Sequence, residues 1–459
     1  MSGSRRRAPL VYACRPKWIA GALLALLTVA CTEPAEVRPP NVLLYVVDTL
    51  RRDSLGVYGN AAVPTPRLDA FALQGVVFDQ AASPSSWTRA SIATLLTGYD
   101  PPRHGAVDRT GVLSRGLPTL AERLADHGYQ SAFVTANPNV ASFFGFDRGV
   151  GEMVELFSRR SAGYVDAGEL IARSDEVTRA ALSWVDATPR PFFLTVLAID
   201  PHSPYERPPG FDPLGLEVRE DVDGSQASLQ RHDLSLDQRA HIRALYDLEV
   251  AYSDRSFGEL LDGLRARGLL ENTVVIFTSD HGEEFWEHGR RGHGRSLSEA
   301  AIRIPLVVSH LGSKQIERGS RRGDPAGLDD IAPTVLDLLQ LPPDPALPGR
   351  ALFRGDAATP TFARLMLDGH DLAMAREARW KLVWDLAGDD QALFDLASDP
   401  LETTPVAPSA TPESLAAHSR LQRAIAQGVE RPPAEGSGAT GPLPPEIERT
   451  LKALGYLGE

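Results

Sequence analysis

NVLLYVVD, residues 41–48, is an apolar run of strand length that ends on an acid, and the chain repeats the design twice. PFFLTVLAID occupies 191–200 and TVVIFTSD occupies 273–280. Unbroken runs of Val, Leu, Ile and Phe suit strands buried on both faces of a sheet. Residues 131–137 and 304–310 read the same way. Between these runs lie helical patterns. Ile242, Tyr246, Val250, Phe257, Leu260, Leu261 and Leu264 fall mostly on one face of a helix over 242–264. Alternating strands and helices predict an α/β fold with a mixed, mostly parallel central sheet flanked by helices. Ligands of such sheets bind beyond the carboxyl ends of the strands, where Asp48, Asp200 and Asp280 fall. One such Asp is ordinarily a strand-end or helix-cap residue; three at equivalent positions point to a site.

The composition is compatible with this. The chain has 459 residues, 43% hydrophobic and 23% charged, which excludes whole-chain disorder. A net charge of −13 excludes a generic nucleic-acid binder but not an anionic substrate at a locally positive site. There are two cysteines, Cys14 and Cys31, and four lysines, Lys17, Lys314, Lys381 and Lys452, so most positive charge is arginine. The first thirty residues read as an export signal, with Arg5, Arg6, Arg7, Arg15 and Lys17 ahead of the apolar run Trp18–Ala30. Leu27-Thr28-Val29-Ala30-Cys31 resembles the lipobox of bacterial lipoproteins, with Thr28 where Leu is usual. A lipidated Cys31 would anchor the chain to the membrane of a bacterial cell envelope, on the periplasmic side or at the outer membrane. Cys14 would leave with the signal, so no disulfide is expected.

The organisation expected is a signal (1–30), a Pro-rich tether (31–40), a catalytic domain (41–345) and a small antiparallel-sheet subdomain (346–404). A flexible linker rich in Pro, Ala, Gly and Ser (405–445) and a helical tail (446–459) follow. The tail carries Ile447, Leu451 and Leu454 at helical spacing, fit to dock on the domain. Residues 205–240 lack periodicity and read as a loop or lid; with 140–175 they are the expected specificity loops.

Three segments carry chemistry. Asp48 at a strand end can ligate a divalent cation. Asp280-His281 adds a hard oxygen and an imidazole nitrogen, a common pairing for Zn, Mn or similar metals. Thr88 stands near the start of a short apolar helix ending at Gly98, where free N–H groups and the helix dipole favour an anion. A threonine there is ordinarily an N-cap.

These residues carry a resemblance. NVLLYVVDTLRRDSLGVYGN (41–60), TPRLDAFALQGVVFDQA (65–81), WTRASIATLLTGYDPPRHG (87–105), IDPHSPY (199–205), TVVIFTSDHGEEFWEHG (273–289), GHGRSLSEAAIRIPLVVS (292–309) and ALFDLASDPLE (392–402) resemble, in order, the sulfatases of the alkaline phosphatase superfamily. The resemblance implies an alkaline-phosphatase-like fold with a small C-terminal antiparallel sheet. It implies one divalent metal ion, Ca, Mg, Mn or Zn, on Asp48, Asp280, His281 and Thr88, with Thr88 at the nucleophile position. His202 would face the ester oxygens or leaving group, His293 or Arg295 would add an anion contact, and Arg89 would brace the site. Arg51, Arg52, Asp53 and Arg303 read as structural ion-pair partners; His104 and His288 stay open between the two roles.

The chain also departs from that family. Typical sulfatases place Cys, less often Ser, ten residues before the helix-closing Gly and oxidise it to formylglycine. That position is Thr88, so formylglycine is not expected. Thr49 replaces the second Asp of the usual pair. Thr135-Ala136-Asn137-Pro138-Asn139 replaces a lysine-and-histidine motif. Three functions follow: a sulfatase-type hydrolase of sulfuric or phosphoric esters on a glycan or lipid; a phosphodiesterase or phosphotransferase acting through a covalent Thr88 intermediate; or a lipoprotein that binds such an ester without turnover.

Overall fold

The computed structural model describes residues 38–157, 171–355, 359–439 and 441–457. The expected signal, Cys31 and most of the tether lie outside them, as does part of the 140–175 loop. Eight strands form the main sheet: β1 (Asn41–Val47), β2 (Val76–Ala82), β3 (Gln130–Thr135), β4 (Glu152–Glu155), β5 (Phe192–Ala198), β6 (Thr273–Ser279), β7 (Leu306–His310) and β8 (Ser320–Gly327). Their order is β8-β2-β7-β6-β1-β5-β3-β4. Every pairing is parallel except those of β7, which is antiparallel to both β6 and β2. The central strands β1, β5 and β6 are buried along their whole length, as their unbroken apolar sequences require. Each Val, Leu or Phe buried there contributes about 1.5–3 kcal/mol.

Register places the chemistry. Val47 of β1 pairs with Ala198 of β5 and with Ser279 of β6. The next residues, Asp48 and Asp280, therefore emerge side by side at the carboxyl edge.

The main helices are α1 (Pro66–Ala72), α2 (Thr88–Thr97), α3 (Ser174–Ala187), α4 (Leu236–Ala266), α5 (Pro412–Val429) and α6 (Pro445–Ala453). α4 begins in a capping box in which Ser235 Oγ accepts from the Gln238 N–H. It packs on α1 and α3. α2 is buried on every side and stops at Gly98, whose φ is +79°. A Cβ there would come within 2.7 Å of Leu347 and 3.0 Å of Ala332, so the turn that ends α2 requires glycine.

The strands β9 (Thr361–Leu367), β10 (His370–Arg376), β11 (Trp380–Asp385) and β12 (Asp390–Asp395) form a separate antiparallel sheet in sequence order. One expectation fails here. The stretch 405–445, read as a flexible linker, contains the 18-residue helix α5. Ala417, Leu421 and Ile425 recur every fourth residue on its buried face and pack on Ala373, Ala375, Leu382 and Leu393. Its alanines were read as low-complexity filler, but alanine has the highest helix propensity. α6 and the turn after it bury Ile447, Leu451, Leu454 and Tyr456 against the main core.

A buried ion cluster ties the two sheets together. Arg376 Nε donates to Glu299 Oε1 at 3.0 Å. Lys381 Nζ lies 3.3 Å from the same carboxylate and 2.6 Å from Glu402.

Candidate metal and nucleophile site

Asp48, Asp280 and His281 are fully buried at the carboxyl edge. Their ligating atoms all lie within 4.8 Å of one another. Asp280 Oδ1 accepts from the Thr49 N–H at 3.1 Å and from the His281 N–H at 2.8 Å. Asp48 Oδ2 accepts from the Asn137 side-chain amide. The other oxygens, Asp48 Oδ1 and Asp280 Oδ2, have no hydrogen-bond partner. Burial and the facing Asp280 push the Asp48 pKa well above the carboxylate range. His281 Nδ1 donates to the Gly282 carbonyl at 2.9 Å, which leaves the lone pair on Nε2. Two free carboxylate oxygens and a lone-pair nitrogen at this spacing fit a divalent cation. The turn that aims them is strained: Thr49 has φ +55°, a left-handed conformation that costs a β-branched residue about 1–3 kcal/mol and clusters at functional sites.

Thr88 is the first residue of α2 and fully buried. It is not the cap: Trp87 holds that position, and no side chain caps the helix. The Thr88 hydroxyl instead lies 3.2 Å from His281 Nε2. It thus faces the acidic group from the positive end of a helix.

Two further histidines close the arrangement. The ring of His293 lies 4.6 Å from that of His281 and 5.1 Å from that of His202. His293 Nδ1 donates to Glu283 at 3.2 Å. His202 Nδ1 donates to the Ser203 carbonyl at 2.6 Å, and His202 Nε2 has no partner. Burial and His293 lower the His202 pKa to about 3, so the ring is neutral at pH 7 and presents an acceptor.

The remaining candidates divide. Arg89 does not touch the centre. Its guanidinium donates to the carbonyls of Asn139 at 3.1 Å and Asp108 at 2.8 Å and lies 3.5 Å from the Phe144 ring centroid. It braces the loops around α2. Arg295 is exposed. Asp200 shares the sheet edge, but its carboxylate accepts from the Ser174 N–H and hydroxyl at the start of α3. Arg51 bridges Asp53 and Glu287, Arg52 donates to the Asp79 carbonyl, and Arg303 lies 3.7 Å from Glu299. His104 bonds Thr94 at 3.1 Å, and burial lowers its pKa to about 3. His288 bonds Glu284 and the Leu401 carbonyl. Apart from the exposed Arg295, these side chains are engaged with other groups of the fold.

Three residues of the site received no role from the sequence. Asn137 fixes Asp48. Glu283 is fully buried; it binds His293 and accepts from the Tyr205 hydroxyl at 3.1 Å. Its partners hold its pKa down at about 2. Tyr456 is the third. Its hydroxyl accepts from the Asn137 amide at 3.3 Å. Its ring lies 5.1 Å from that of Trp87 and 4.9 Å from that of His202. The C-terminal segment therefore roofs the site beside Thr88. The spacing of Ile447, Leu451 and Leu454 signalled docking, but not where.

The family model described as Sulfatase matches residues 40–341. A choline-sulfatase of Rhizobium meliloti is 25% identical over 80% of this chain and 82% of its own length. The phosphonate monoester hydrolase of Agrobacterium radiobacter superposes with a TM-score of 0.67 at 22% identity, over 88% of this chain and 100% of that one. A structure solved with its substrate D-glucosamine-2-N,6-O-disulfate gives 0.69 at 17% identity, covering 91% and 98%.

Proposed function

The chain belongs to the sulfatase family, and on that premise we propose that it hydrolyses sulfuric or phosphoric esters by attack of the Thr88 hydroxyl. One observation carries this. Thr88 Oγ1 starts a buried helix 3.2 Å from His281 Nε2, beside Asp48 and Asp280, which keep two carboxylate oxygens without partners. A divalent cation held by Asp48, Asp280, His281 and Thr88 supplies a Lewis acid toward an ester oxygen and favours the ionised hydroxyl.

The chain's own groups do the positioning. Asn137 holds Asp48, while the amides of Thr49 and His281 hold Asp280. The first N–H groups of α2 face the anion. His202 offers an unpartnered Nε2 on the leaving-group side. Attack by Thr88 Oγ1 on sulfur or phosphorus breaks the bond to the ester oxygen. The alcohol departs with that oxygen and a proton, and water then cleaves the Thr88 ester.

Threonine has a single hydroxyl. A Thr88 ester therefore has no second hydroxyl on the same carbon to expel the bound sulfate or phosphate, as a hydrated aldehyde does, and needs direct attack by water. This favours phosphoryl transfer as the second reading. The test is an assay of the purified mature protein with added divalent metals against aryl sulfate, phosphate monoester and phosphodiester, beside Thr88→Ala. Turnover abolished by Thr88→Ala is expected, and a phosphorylated Thr88 trapped by mass spectrometry would select the phosphoryl version. Full activity in Thr88→Ala would overturn the nucleophile. Absence of turnover with every metal would leave a binding lipoprotein.

We also infer export and anchoring through a lipidated Cys31, on the basic, apolar and small-residue order of 1–31. Among the described residues no helix is long and apolar enough to cross a membrane. Palmitate labelling should vanish in Cys31→Ser; persistence would refute the anchor.

A further inference from the structure

A cavity of about 320 Å³ lies against His202. Arg173, Asp200, Glu206 and Glu249 line it beside His202, and Leu454 closes it from the C-terminal segment. Of the acceptor atoms its lining residues carry, His202 Nε2 and Glu249 Oε2 are buried without a hydrogen-bond partner. His202 Nδ1 carries the proton given to Ser203, and the other Glu249 oxygen already accepts from the Glu206 N–H at 2.8 Å. Glu249 is only 2% exposed, so an unmet oxygen there is costly, and native structures retain few such groups.

The charges around it are unbalanced. Among the described residues that line it, Asp200, Glu206 and Glu249 face one cation, Arg173, which pairs with Glu206 at 2.6 Å and lies 3.9 Å from Asp200. Burial and the neighbouring Asp200 push the Glu249 pKa well up, as happens when a carboxylate lacks a counter-charge. A volume of this size accommodates a small alcohol or a single sugar ring.

We propose that this cavity receives the alcohol half of the ester, and that the alcohol carries an ammonium group bound by Glu249. The assignment rests on the hydrolase reading, because His202 is the residue that links the cavity to the centre. An ammonium answers both observations: it donates to the unmet acceptors and supplies the missing positive charge. A neutral hydroxyl supplies only the first. A second sulfate or phosphate on this side would meet three acids.

The test compares matched esters on the full mature chain: 2-aminoethyl sulfate against propyl sulfate, and glucosamine 6-sulfate against glucose 6-sulfate, with the corresponding phosphates. The two pairs separate an amino alcohol from an amino sugar. At least one ammonium ester should show kcat/KM about tenfold or more above its neutral partner, mainly through KM, in line with a charge-assisted hydrogen bond. Glu249→Gln should collapse that ratio toward one, and Glu249→Asp should recover part of it. Calorimetric binding of free ethanolamine and glucosamine, against ethanol and glucose, reads the cavity without turnover. Equal kcat/KM within both pairs, a ratio that survives Glu249→Gln, or equal binding of amine and neutral alcohol would overturn the assignment. Turnover of aryl sulfate or phosphate together with such equality would sink only the cavity's role. Absence of turnover of every ester would sink the hydrolase reading, with the calorimetry still deciding the cavity.

Discussion

Asp48 and Asp280 keep two carboxylate oxygens without partners, whereas Glu299, equally buried, is met by Arg376 and Lys381, with Arg303 at its edge. Both groups are acids deep in the same chain, and they differ in what answers them. In the cluster between the sheets every negative charge has a guanidinium or ammonium in reach, and the cations hold the Glu299 pKa down. At the strand ends the acids face each other, and the Asp48 pKa goes up. A buried charge left unanswered is costly, so the geometry of the strand-end pair suits a cation. The contrast also bears on two of the three lysines among the described residues, the third, Lys452, pairing with Glu448 along α6. Lys381 is fully buried in the structural cluster and Lys314 is exposed; neither reaches Thr88.

The sharpest way to break this comparison is to exchange the consequences. Asp280→Ala should lower activity about a thousandfold or more, since a metal supplies several kcal/mol of charge stabilisation. It should also abolish metal binding by elemental analysis. The metal-free melting temperature is better read in Asp280→Asn, which keeps an oxygen for the Thr49 and His281 N–H groups while removing the like charge, and there it should hold or rise. A clear fall in metal-free Asp280→Asn would place Asp280 with the structural acids. Glu299→Ala should do the reverse. It leaves Arg376 and Lys381 buried without their carboxylate, at a cost of about 3–5 kcal/mol in denaturant unfolding. The protein that stays folded should still bind metal.

Acid gives a smaller effect with opposite signs at the two places. The Glu299 pKa is depressed in the folded state, so its stabilisation is present above the ordinary glutamate pKa of about 4.3 and fades as pH falls below it. The Asp48 pKa is raised, so in metal-free protein its burden is absent at low pH and grows as pH rises through the folded value. Chelator-treated Asp48→Asn should therefore gain stability over the parent at neutral pH and lose that gain on acidification; a gain independent of pH would refute the account. The smallest change expected is from Tyr456→Phe. It removes one hydrogen bond to Asn137 and should cost about 0.5–1.5 kcal/mol of stability while the ring still roofs the site beside Thr88.

What could be read from the sequence follows the same physics. Asp48, Asp280 and His281 were legible because each ends an apolar strand, and strand ends in a parallel sheet converge by register. Thr88 was legible because α2 announces its start and its closing glycine. Asn137 was visible only as a departure from a family motif. Its role needs β3 to lie beside β5 and β5 beside β1, an order no local pattern encodes. Glu283 reads as one more acid in an acidic stretch until His293 and Tyr205 are placed around it. α5 was missed because alanine marks both low-complexity segments and good helices, and only packing against β10 and β11 tells them apart.

Tyr456 meets Asn137 across 319 positions of chain. Contacts so far apart in sequence close late, after the strands that carry the acids have paired. At synthesis rates of roughly 5–20 residues per second, the interval between making the two partners is about 16–64 s. The roof beside Thr88 is thus made of the last-synthesised part of the chain, while the acids beneath it stand on strands made earlier.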